Sequence, residues 1–151
     1  MKKHAWPLSF RALFIIAHLI ILSALNKELF EVEGFGAWTI KGVNEWGGTF
    51  LKYATVATIV AALLFPIRLS FYFSGLIMGG LAMIGLKEGR DIKELAEMDG
   101  NIPDLSVLVK IEPGGHQLIW GLGISATLVV IATLVKAAAF LLVLIKKAPQ
   151  D

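Results

Sequence analysis

Two runs of 18 residues without a formal charge, 69–86 between Arg68 and Lys87 and 118–135 ending before Lys136, constrain this chain more than any motif in it. A helix rises 1.5 Å per residue, so about 20 mainly apolar residues cross the ~30 Å hydrocarbon layer of a bilayer. Two shorter charge-free blocks precede them: residues 12–25 between Arg11 and Lys27, and 53–67 between Lys52 and Arg68. Long cations stand at their ends, and such side chains lay their stems along apolar surface while the charge reaches the headgroups. Only 17% of the 151 residues are charged, against roughly a quarter in an ordinary soluble domain, so lipid is the expected solvent. The expectation is an all-α membrane protein, a single integral domain with spans near 10–26, 49–66, 69–86 and 118–140.

Phe65-Pro66-Ile67-Arg68 separates the second and third blocks. Proline removes a helix hydrogen bond and clashes with the preceding turn, so the chain either reverses there or kinks. One helix over residues 49–86 would be about 57 Å long, nearly twice the hydrocarbon, which favours a tight antiparallel hairpin. A kinked helix in a three-span protein is the alternative.

Four spans place Lys2, Lys3, Arg11, Arg68, Lys146 and Lys147 on one basic side, which is read as the cytoplasm, with both termini inside. The loops 27–48 and 87–117 then face outward, and both are acidic; in the second, Lys87, Arg90, Lys93 and Lys110 face seven carboxylates. Trp6 near the inner interface and Trp46 and Trp120 near the outer one agree with aromatic belts. The N-terminus has the basic and apolar regions of a signal peptide, but residues 22–26 offer no small-x-small pair, so a retained anchor is expected.

An extracytoplasmic cap is expected from the loops. Residues 88–98 carry Ile92, Leu95, Ala96 and Met98 on one rough face and predict a short helix, stopped by the turn-forming residues 99–104. Residues 105–111 alternate as a strand, closed by Pro113-Gly114-Gly115. Residues 29–33 and 37–41 flank Gly34-Phe35-Gly36 and can pair as a hairpin.

Chemical motifs are sparse. Asp99, Asn101 and Asp104 lack the glycine that a calcium loop needs and are read as a plain turn. His4, His18 and His116 lie at three depths, so they form no metal or haem ligand set within one chain. Gly114-Gly115 and Gly121-x-Gly123 are not followed by Lys-Ser or Lys-Thr, which argues against a phosphate loop. There is no cysteine and no Asp or Glu inside any span, so thiolate chemistry, a Ser/His/Asp set and carboxylate-coupled cation transport find no residues. No cofactor, metal or nucleic acid is expected.

His18 and Lys136 are the two intramembrane ionisable residues. They form the candidate polar site. His18 reads as a neutral imidazole bonded to a neighbouring helix, and Lys136 as a snorkelling lysine on a tilted helix; an anion-attracting pair is the alternative. Packing signals are clearer. Gly75-x-x-x-Gly79 and Gly121-x-x-x-Ser125 are small-residue pairs that let helix backbones approach, within the chain or across a contact. Ala54, Thr58 and Ala62 repeat at the same spacing. Together these residues point to a non-catalytic accessory subunit or binding partner of the bacterial-type inner membrane. It would act on another membrane protein or a second copy through helix faces and acidic outer loops. The competing expectation is a small oligomeric transporter or channel for a small solute or anion.

Overall fold

The computed structural model describes residues 8–32, 36–40, 45–98 and 109–147. Four helices, α1 (Leu8–Ala24), α2 (Glu45–Leu64), α3 (Ile67–Met98) and α4 (Pro113–Lys147), are joined at one end by three short strands, β1 (Phe30–Val32), β2 (Gly36–Trp38) and β3 (Val109–Ile111). Three of the helices carry segments long and apolar enough to cross a membrane: Glu45–Leu64, Ile67–Glu88 and Pro113–Val143. At 17 residues α1 is shorter.

The chain reverses at Phe65-Pro66, as proline there dictates. Gly80 of α3 stands beside Leu51 and Phe50 of α2, which makes the pair an antiparallel hairpin. Antiparallel packing continues through the bundle. Arg11 of α1 donates to the Ala62 carbonyl of α2 at 3.3 Å, closing one of the carbonyls that the end of α2 leaves without a helical partner. Ala17 and Ile21 of α1 meet Gly121 of α4, and Ser74 of α3 bonds Ser125 of α4. Because α1 touches the other three helices, its inner stripe, Phe14, Ala17, His18, Ile21 and Ala24, is fully buried.

Two apolar layers fill the bundle. Ile21, Leu25, Leu51, Ala54 and Ile77 pack with Leu29 and Ile40 at the strand end. Phe14, Ala62 and Leu128 pack with Phe71 and Ile124 toward the other end. The outer surface is apolar as well: Tyr53, Leu64, Tyr72, Met83 and Leu86 each expose more than seven-tenths of their area. A surface of this kind suits acyl chains and is foreign to water.

The expected hairpin is present, with Phe30 opposite Trp38 and Val32 opposite Gly36. Gly36 takes φ +83°, open to glycine at little cost. β1 also pairs antiparallel with β3, giving the order β2-β1-β3. Phe30 and Trp38 stack at 5.9 Å, and Lys110 on β3 lies 3.0 Å from Glu112 and 3.7 Å from Glu31.

Two expected boundaries move. Residues 88–98 are not a separate cap helix but the last third of α3, which runs 32 residues; charge changes the solvent a helix prefers without ending it, and no proline intervenes. Pro113-Gly114-Gly115 follows the end of β3 at Ile111 as expected, but it also opens α4, which starts at Pro113 and not near 118, with proline in the first turn, where its missing N–H costs nothing. At Gly114 and Gly115 the backbone lies directly against the carbonyls of Glu28 and Leu29, leaving no room for a Cβ. The turn at 99–104, strand residues 105–108, His4, Trp6, Lys2 and Lys3 lie outside the described residues.

Candidate functional site: a polar layer and an open helix face

Between the two apolar layers each helix contributes a polar side chain: His18 from α1, Thr55 and Thr58 from α2, Ser74 from α3 and Ser125 from α4, all 1% exposed or less. Their placement follows from the packing. Along α1 the sequence is Phe14, His18, Ile21; along α2 Ala62, Thr58, Ala54; along α3 Phe71, Ser74, Ile77; along α4 Leu128, Ser125, Gly121. About one helical turn separates His18, Thr58, Ser74 and Ser125 from these neighbours, so antiparallel register brings them to one level, with Thr55 about one turn from Thr58 toward the strand end.

The hydroxyls are mostly bonded to their own helices. Thr55 Oγ1 donates to the Leu51 carbonyl at 2.7 Å and Thr58 Oγ1 to the Ala54 carbonyl at 2.8 Å. The exception crosses the bundle, with Ser74 Oγ and Ser125 Oγ 2.9 Å apart. His18 Nδ1 lies 2.8 Å from the Phe14 carbonyl. A carbonyl only accepts, so Nδ1 carries the proton and donates. Its ring packs 4.4 Å from that of Phe14. His18 Nε2 has no hydrogen-bond partner among the described residues, and an acceptor left so in a core costs about 1–3 kcal/mol.

His18 and Lys136 do not meet. Lys136 Nζ lies 5.6 Å above the Phe71 ring, and Phe71 in turn packs edge-on against Phe14 at 5.4 Å and Phe10 at 6.3 Å. Two aromatic rings therefore stand between the imidazole and the ammonium. Lys136 keeps the company of the basic end instead: Arg68 precedes Phe71 by one turn of α3, and Arg11 follows Phe10 on α1. Lys136 stands 19 residues beyond Gln117, about 28 Å along α4, close to the hydrocarbon thickness. At the strand end Lys27 Nζ donates to Gln117 Oε1 at 2.8 Å, tying α1 to the first turns of α4.

The two small-residue pairs sit in different surroundings. Gly121 is buried against α1, and Ser125 is buried in the polar layer. Gly75 and Gly79 are exposed on α3, and a Cβ at either would meet nothing within 4 Å. Tyr72, Leu76, Met83 and Leu86 line the same open side of the helix. Among the described residues no group of three or more His, Asp or Glu gathers as a metal cage.

The sequence reading missed the polar layer. Its only linear trace is Ser74 and Ser125, each within four residues of a packing glycine, and the spacing of Thr58 between Ala54 and Ala62. No protein-family model, curated protein or solved structure matches this chain.

Proposed function

We propose that this chain is a non-catalytic subunit of the cytoplasmic membrane, with four spans and both termini inside, that works by binding another membrane protein or a second copy of itself. One observation carries the reading: the Gly75–Gly79 face of α3 is open, apolar and flat at its glycines. Without a hydrophobic force between helices in lipid, close backbone approach is a main source of association, and two glycines one turn apart supply it. α4 supports the same reading, since side chains at 137–143, beyond the level of Lys136, are all exposed. The acidic outer segment, with Glu28, Glu31, Glu45 and Glu112 near the strands, gives a partner a polar surface to read.

Sizing by blue-native electrophoresis with pull-down from a mild detergent tests the association. A stoichiometric partner or homomer is expected, and a monomer without companions would contradict it. A cytoplasm-active reporter tests the topology: activity after Arg68 and Lys147 and none after Lys41 or Asp99. Activity after Asp99 with silence after Arg68 would favour three spans.

The second reading, a small oligomeric transporter or channel, draws on the unpartnered His18 Nε2 at the middle of the bundle, because ionisable groups at that depth are expensive and often functional.

A further inference from the structure

We infer that the polar layer formed by His18, Thr55, Thr58, Ser74 and Ser125 is a closed binding site for one small protic molecule, and that its occupant is a single water. The inference is independent of the association described above, because it concerns groups inside one chain.

The donors and acceptors of the layer do not balance among themselves. His18 Nδ1 is committed as a donor to Phe14, so in the neutral ring Nε2 presents a lone pair and needs a donor. Thr55 and Thr58 have spent their protons on the Leu51 and Ala54 carbonyls, and their oxygens retain only acceptor capacity. In the Ser74–Ser125 pair one hydroxyl donates to the other, so the second hydroxyl holds a proton for which the pair itself has no acceptor.

One water completes the set. It gives one hydrogen to His18 Nε2 and the other to a threonine Oγ1 of α2, and it accepts the spare serine proton. Three hydrogen bonds are what a buried water ordinarily makes. Protonation of Nε2 offers no comparable solution, because no Asp or Glu lies between Leu8 and Lys27, between Trp46 and Lys87, or between Pro113 and Lys147.

Apolar layers seal the site on both sides, Phe14, Ala62 and Leu128 on one and Ile21, Leu51, Ala54 and Ile77 on the other. A water held there fixes the register of four helices through one point and does not form part of a continuous path.

Solid-state nuclear magnetic resonance of the full chain, labelled with 15N-histidine in phosphatidylcholine and phosphatidylglycerol vesicles, reads the site directly. His18 is assigned by loss of its signals in His18→Gln. A neutral ring is expected, protonated at Nδ1, with Nε2 shifted as a hydrogen-bonded acceptor and connected to water by magnetisation transfer. In Ser74→Ala/Ser125→Ala the water transfer should weaken while the tautomer stays the same. An Nε2 with the shift of an unbonded nitrogen, a doubly protonated ring, or transfer from a serine hydroxyl in place of water would overturn the inference. So would a water signal that the double serine variant leaves unchanged.

Discussion

Gly121 of α4 lies against Ile21 of α1 with no space between them: a Cβ at Gly121 would come within 2.7 Å of Ile21 Cγ1 and 3.0 Å of the Ala17 carbonyl oxygen. Ile21 is fully buried, so it has little freedom to withdraw. Gly121→Ala is therefore expected to destabilise the bundle by about 1–3 kcal/mol, the range for overpacking a close contact. Gly123→Ala is the matched control, since a Cβ there meets nothing within 4 Å, and relief of glycine's backbone entropy should leave it unchanged or slightly more stable. Thermal unfolding in detergent compares the two. Equal loss in both would mean that α1 and α4 do not meet at this glycine.

The hairpin at Phe65-Pro66, the helical blocks and the β1–β2 pairing were legible in the sequence because each rests on local physics: proline geometry, hydropathy over a spanning length, and glycines between two short apolar runs. The extent of α3 was not, because the charges that begin at Lys87 read as the end of the helix, whereas the helix continues through them to Met98. The start of α4 at Pro113 was not legible for a related reason: Pro-Gly-Gly is turn chemistry in isolation, and only contact with Glu28 and Leu29 shows why glycines suit a helix's first turn there. The polar layer depends on register between helices far apart in sequence, such as Ser74 with Ser125, and no local pattern encodes it.

At the basic end, Lys136 has an aromatic partner in Phe71 and no carboxylate nearby among the described residues. Removing its charge should be tolerated, because a lysine at the basic end can reach the headgroups and its cation–π contact returns only about 0.5–1 kcal/mol. Lys136→Arg should be silent and Lys136→Leu should insert at least as well as the wild type. Lys136→Leu protein that folds, inserts and assembles normally yet loses its cellular activity would favour the transporter reading.

In the strand cap, the hydrogen bond and charge of Glu112, and then the charge of Glu31, hold the Lys110 ammonium's pKa above the ordinary lysine value of 10.5. A raised folded-state pKa means that the contribution is complete below the unfolded value and fades as pH climbs through the folded one. The near-ultraviolet dichroism of the cap, where Phe30 stacks on Trp38, should therefore hold constant from neutral pH to about 10 and decline only above 10.5. Lys110→Gln should make that alkaline step disappear. A step of the same size in Lys110→Gln would assign it to another group.

The association through α3 is tested most directly by Gly79→Leu against Gly85→Leu, with the size of the complex read by blue-native electrophoresis. In one chain neither position is crowded at its first side-chain atom, since nothing lies within 4 Å of a Cβ at Gly79 or Gly85, so the monomer should fold equally well in both. Gly79 pairs with Gly75 one turn away inside the apolar segment Ile67–Glu88, where a surface that another helix backbone can approach drives association. The glycine one turn from Gly85 is Gly89, beyond that segment and beside Arg90. Gly79→Leu is predicted to shift the protein to a smaller species while Gly85→Leu keeps the wild-type size. Complexes of wild-type size in both variants would show that the glycine face meets lipid, and would contradict association through it.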